Sequence, residues 1–321
     1  MMHARHFTNS YMSIGSGEHD VLQKYDERNR DLLININGKI LHRDEAGISP
    51  FDSAVQGGDA VWEGLRVYDG RIFRFRQHLD RLRASAEAVS FAEIPSHESI
   101  IEEVRRTLEA NGMRDGVHIR LTLTRGLKVT SGMDPRLNTS GPTLIVLAEH
   151  KRPVYDKSGL RLATSSIRRF SPDQLDQQIH SCNLLQSIMA KIQANNAGAD
   201  DALMLDARGF IAETNATHLF FVHGEMVTTS HVLCCPEGVT RSVVLELCRK
   251  SGIQCHEGDY ELEHALCADE VFCTGTMGEL ASVVEIDGQM IGDGKIGSMT
   301  TRLSGLFSEC VADEAEPVLD T

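Results

Sequence analysis

The sequence predicts an α+β fold, and three observations carry that expectation. Strand-like segments come in runs, with helices interspersed rather than strictly alternating, which argues against a doubly wound parallel sheet. Two short apolar segments close on the two-residue turns Asn37-Gly38 and Asp69-Gly70, a pattern that selects antiparallel hairpins. Apolar residues at helical spacing then mark amphipathic helices between the strand runs.

In chain order, residues 1–28 are polar and unpatterned and read as a flexible leader. Residues 32–40 form the first expected hairpin, and strands at 65–68 and 71–75 form the second. Leu79, Leu82 and Ala86 give a helix within 76–89. A second helix over 98–112 is closed by Gly112, whose freedom at positive φ suits a helix end. Strands at 117–126 and 142–150 complete a small N-terminal α+β domain, 29–150. The polar segment 151–159 reads as a linker, and 160–321 as a larger C-terminal α+β domain. Within that domain the expected order is a strand (160–167), an irregular stretch (168–182) and a helix (183–198). Four strands follow (202–206, 209–213, 218–222, 225–229), then a helix (240–252) and a strand near 271–275. A hairpin at Asp287-Gly288 and a helix near 299–307 end the chain.

Composition narrows the function. With 32 Lys+Arg against 46 Asp+Glu the net charge is −14, so no basic face for phosphate neutralisation is evident and the balance argues against nucleic acid as a partner. The N-terminal stretch lacks the apolar segment of a signal peptide and no later run has the length of a membrane span, so the expectation is a soluble, cytoplasmic protein without a membrane partner. Eight cysteines show no CxxC pair and no Cys/His ligand spacing, and read as free thiols without a metal.

Single motifs are modest. Gly292, Gly294 and Gly297 mimic a dinucleotide fingerprint, but 24 residues cannot complete the βαβ unit, so they read as a turn. Gly238, Val239 and Thr240 stand where a loop becomes a helix, a place suited to phosphate, although Thr240 alone would serve as an N-cap. Gly275 and Thr276 belong to a hydroxyl-rich turn, Thr274-Gly275-Thr276, after an apolar strand. Glu213 ends a strand and Arg81 lies on a helix; each in isolation reads as solvent-exposed.

Their order is more telling. HLDRL, ETNATHLF, GVTR at a helix start, TGT after a strand and the C-terminal DGKIG with TRL together resemble the class IV aminotransferases, fold-type IV enzymes that use pyridoxal 5'-phosphate. The resemblance spans about residues 30–307, and VQGGDAVWEGLRVYDG is similar to the branched-chain members. It implies a two-domain α+β fold with the cofactor between domains, a homodimer, and transfer of an amino group between an apolar amino acid and a 2-oxo acid such as 2-oxoglutarate. A non-catalytic relative that binds pyridoxal phosphate or an amino acid, and a lyase of the aminodeoxychorismate type, are the alternatives. Carried over by position, the resemblance puts Arg81, Gly238, Val239, Thr240, Gly275 and Thr276 around the cofactor phosphate and Glu213 at its pyridine nitrogen. Arg66, Arg120 and Met277 fall at the substrate. Gly57 stands where branched-chain members often have a tyrosine.

One departure matters most. The family places a lysine a few residues before the helix that starts here at Asn183-Leu184-Leu185, and its amine bonds the cofactor and moves the substrate proton. The register of close relatives puts that position at Gln178; other registers point to Ile179 or His180. None is lysine, so impaired turnover is expected. A natural loss, a deliberate replacement, or a reach-in by Lys157 or Lys191 remain open readings.

Overall fold

The computed structural model describes residues 24–153, 155 and 159–320. Most of the expected leader, residues 1–23, and Lys157 within the expected linker lie outside the described residues.

The first half builds β1 (Leu33–Ile36), β2 (Lys39–His42), α1 (Ser53–Gly57), β3 (Ala60–Tyr68), β4 (Arg71–Ile72), α2 (Phe75–Ala88), α3 (His97–Ala110), β5 (Val117–Thr124) and β6 (Thr143–His150). Both expected hairpins form. Asn37 and Gly38 have φ of 50° and 78°, and Asp69 and Gly70 have 44° and 72°, the paired positive values that let a two-residue turn follow strand twist. The second hairpin is shorter than the sequence suggests. Its return strand stops at Ile72 because Arg74 turns to φ 52°, which starts α2 at Phe75. That kink divides two aromatics: Phe75 enters the core of the first sheet, and Phe73 packs with Phe307 and Val311 in a separate cluster. The Arg74 guanidinium meets Glu246 at 3.0 Å and Glu314 at 2.6 Å, joining this corner to the second half of the chain.

That second half continues with β7 (Leu160–Thr164), α4 (Leu185–Asn196), β8 (Asp201–Leu205), β9 (Ile211–Thr214), β10 (His218–His223), β11 (Met226–Ser230), α5 (Val239–Lys250) and β12 (Cys255–Gly258). After these come α6 (Leu262–Leu266), β13 (Glu270–Gly275), β14 (Glu279–Ile286), β15 (Gln289–Met290), α7 (Ser298–Glu314) and β16 (Glu316–Pro317). The strands assemble into two sheets. One is antiparallel, in the order β16-β4-β3-β5-β6-β1-β2; the other is mixed, β12-β11-β10-β13-β14-β7-β8-β9, with β15 on β14. The architecture is therefore α+β. Its last strand returns to the first sheet, Glu316 pairing with Ile72, so the C-terminal end of the chain stitches the two halves together. The glycine-rich 292–297 segment is a turn into α7, and Glu270 caps that helix by accepting from the N–H groups of Met299 and Thr300.

On β3 the odd positions Val61, Leu65 and Val67 are fully buried and pack under α2 and α3, as strand alternation requires. Glu63 shares that apolar face. Among the described residues no helix is long and apolar enough to cross a membrane.

Candidate functional site

A small cleft opens between the two sheets, lined by Arg66, Tyr68 and His78 from the first half and Val239, Thr240 and Thr276 from the second, with Phe73 and Phe307 beside them. Four of the residues singled out in the sequence thus converge on one space. Its second-half wall is the start of α5. Gly238, not Thr240, is the N-cap, and the first helix bond runs from Ser242 N–H to Gly238 O, which leaves the N–H groups of Val239 and Thr240 without helical partners. The macrodipole and these donors favour an anion there. Gly238 holds the cap for a packing reason. A Cβ would come within 2.4 Å of the buried His218 ring, although φ is an ordinary −75°. Gly238→Ala is expected to lower unfolding stability by about 1–3 kcal/mol through overpacking, read from urea denaturation. The loop before α5 is held by Arg241, buried and bonded to Glu237, Glu257 and the Ser230 carbonyl.

Arg81 is not on a solvated helix face. Its Nε and Nη2 each donate at 2.7 Å to Glu63, and its Nη1 donates at 2.6 Å to the Glu237 carbonyl, one residue before Gly238. Glu63 is wholly buried and also faces the Nδ1 atoms of His78 at 2.7 Å and His180 at 3.2 Å. Burial acts to raise its pKa, but Arg81 and the two histidines outweigh it and hold the carboxyl well below its ordinary value.

Glu213 is buried at the end of β9, not exposed, and forms an ion pair with Arg169 at 2.8 Å. Arg169 also reaches Ser187 and the Thr214 carbonyl. Burial dominates the acid's equilibrium. It is pushed up to about 7 even though Arg169 and Arg81 pull it down.

Arg66 and Arg120 rise from the other face of the first sheet, on β3 and β5, where Arg66 pairs with His118 and Gly64 with Arg120. Among the described residues neither arginine has a carboxylate within ion-pair distance. Arg66 donates at 3.4 Å to the carbonyl of Met277, and Arg120 stacks 3.4 Å above the Trp62 ring. His118 stays neutral: burial first, then Lys151, Arg120 and Arg66, lower it to about 3.

Gln178 is exposed, and its Nε2 donates at 2.7 Å to the Val232 carbonyl. Lys191 is engaged elsewhere, bonded to the Asp200 carbonyl and to Asp201 at 3.0 Å. Gly275 ends β13, where a Cβ would press on Thr217 at 2.9 Å.

Sequence reasoning missed Glu63, His78, His118 and Arg169. Glu63 carried a readable signal, a carboxylate on the apolar face of an alternating strand; Arg169, in the irregular stretch, carried none.

The α5 helix start and Arg66 face one cleft, a pairing of backbone N–H donors and a cation that suits an anionic group. The profile of the Amino-transferase class IV family matches residues 60–286, so the chain belongs to that family. It is 50% identical over 291 residues to branched-chain-amino-acid aminotransferase-like protein 2 of Arabidopsis thaliana, covering 90% of this chain and 52% of that one. The chain thus spans about half the length of that plant relative. A putative branched-chain-amino-acid aminotransferase of Methanocaldococcus jannaschii is 38% identical over 280 residues, covering 87% of this chain and 96% of the other. Among solved structures, a T.th. branched-chain amino acid aminotransferase complexed with N-(5'-phosphopyridoxyl)-L-glutamate is similar at a TM-score of 0.83 and 29% identity, covering 90% of this chain and 99% of that one.

Proposed function

We propose that the chain takes up pyridoxal 5'-phosphate in the inter-sheet cavity and is a branched-chain-type aminotransferase, acting between an apolar amino acid and a 2-oxo acid such as 2-oxoglutarate, with turnover impaired at Gln178. The observation that carries this reading is the convergence of Arg66, Val239, Thr240 and Thr276 on one cavity, with Arg81 bonded to the loop that ends at Gly238. When bound, the cofactor ring supplies an electron sink for charge left by a proton removed from the amino acid.

The chain's own groups fit that task. Arg81, the α5 N–H groups and Thr276 would hold the phosphate, with Gly238 and Gly275 shaping the turns beside it. Glu213, buried and poised at about 7, would hold a proton at the pyridine nitrogen. Arg66 and Arg120, without a paired carboxylate among the described residues, would receive substrate carboxylate, with Met277 beside Arg66. Gln178 would bring an amide where the family uses an amine, and an amide neither bonds the cofactor nor accepts a proton near neutral pH.

Gln178 also favours a second reading, a family member that binds the cofactor and amino acid without efficient turnover. Two further expectations belong here. Leu185, Ile188 and Ile192 lie along one face of α4 and are exposed, which suits a second copy of the chain and a homodimer. All eight cysteines are free thiols, as suits a reducing cytoplasm.

The test is uptake of pyridoxal phosphate by the purified chain on a sizing column, followed by borohydride treatment and peptide mass spectrometry. Cofactor absorbance should travel with a two-chain particle, and no lysine should carry a reduced adduct. A chain that elutes without cofactor would overturn the reading.

A further inference from the structure

Glu63 occupies an unusual place: a fully buried carboxylate on the apolar face of β3 that accepts from four donors. Oε1 faces Arg81 Nε and His180 Nδ1; Oε2 faces Arg81 Nη2 and His78 Nδ1. An ionised carboxylate only accepts, so both histidines must carry the proton on Nδ1, and each oxygen then takes two donors. This leaves no acceptor position free for a ligand. The role of Glu63 is therefore exerted through its neighbours.

Two of those neighbours lead to different parts of the proposed site. Arg81 has five N–H donors; two go to Glu63 and one to the Glu237 carbonyl, which leaves two for an outside anion. The fork on Glu63 fixes the plane of the guanidinium and so the direction of that free pair. His180 lies two residues after Gln178, in a segment fastened to β3 like an added strand. Trp62 N–H donates to His180 O at 3.0 Å, Cys182 N–H donates to Ala60 O at 2.8 Å, and the Trp62 indole donates to Ser181 O at 3.1 Å. The His180 ring also lies 4.2 Å from the Trp62 ring.

We propose that Glu63 is a positioning residue that aims Arg81 at a phosphate and couples phosphate binding to the segment carrying Gln178. The proposal rests on the cofactor-site reading above and adds to it a path, Arg81 to Glu63 to His180, by which an anion at one end alters the His180 to Trp62 contact at the other.

The chain contains one tryptophan, so its emission reports that contact directly. Inorganic phosphate is the probe, because it does not absorb in the tryptophan range as pyridoxal phosphate does. Titrating phosphate into the native protein should change Trp62 emission with the same midpoint that calorimetry gives for binding. In Glu63→Gln, phosphate affinity should fall by about tenfold and the emission response should disappear, since the fork loses its charged partner. A carboxylate that merely neutralised Arg81 would do the opposite, and its removal would tighten phosphate binding. Unchanged or tighter binding in Glu63→Gln therefore overturns the proposal, as does a native protein that binds phosphate with silent Trp62 emission.

Should Glu63→Gln fail to fold, His180→Phe decides the matter. It keeps the Arg81 fork and a ring against Trp62 while cutting the path, so phosphate should bind as in the native protein without the emission response. A retained response would sink the coupling. Uptake of pyridoxal phosphate by the native chain is measured alongside. If uptake fails, the cofactor-site reading and the coupling fall together; if it succeeds and the emission arms fail, the coupling alone falls.

Discussion

Gln178→Lys is expected to raise transamination by about 10²- to 10⁴-fold, the range over which a positioned acid–base group accelerates proton transfer. The same variant should retain pyridoxal phosphate through gel filtration as a borohydride-fixable adduct on the peptide containing position 178. The side chain there is exposed and makes one bond, from its amide to the Val232 carbonyl, which an ammonium can also make. Folding should therefore be little disturbed, within about 0.5 kcal/mol as for other surface changes. The two alternative registers fit less well. Ile179 packs against the core of the first sheet, and His180 is anchored to Glu63 and stacked near Trp62. A lysine at either would give up those contacts. Rates are read from 2-oxo acid formation with leucine and 2-oxoglutarate. A variant that binds cofactor with no gain in rate and no adduct would show that the reactive position is not 178.

How much of this was legible in the sequence depends on which force sets each feature. Local chemistry was readable. The two hairpins followed from Asn-Gly and Asp-Gly because only a few residues tolerate paired positive φ, and the helices followed from apolar spacing. The order of short motifs pointed to the family, and Arg66, Val239, Thr240 and Thr276 do meet at one cavity. What the sequence hid were consequences of tertiary contact. The return strand at 71–75 stopped early because Arg74 turns to reach Glu246 and Glu314, which are distant in sequence. Thr240 read as a cap because capping statistics carry no knowledge of His218, whose ring leaves no room for a side chain at the preceding Gly238. Glu213 and Arg81 read as exposed because their burial depends on Arg169 and Glu63, partners 44 and 18 residues away. The C-terminal strand crossed back to the first sheet, and two residues of β-structure leave no period to detect.

Arg81→Ala should produce two separable losses. Affinity for pyridoxal phosphate should fall by about a hundredfold, as expected when one member of a buried charge-assisted contact is truncated. Unfolding stability of the cofactor-free protein should also fall, by about 3–5 kcal/mol, because Glu63 would be left ionised, buried and without its counter-charge. The second effect could be mistaken for the cause of the first. Adding Glu63→Gln to Arg81→Ala removes the stranded charge, so most of the lost stability should return, while the cofactor affinity should stay low. Urea denaturation gives the stability and equilibrium dialysis gives the affinity. If the double variant regains affinity together with stability, Arg81 serves the fold and not the phosphate. If affinity stays low in a protein as stable as the native one, the guanidinium acts on the ligand itself, and the buried carboxylate beneath it is there to aim it.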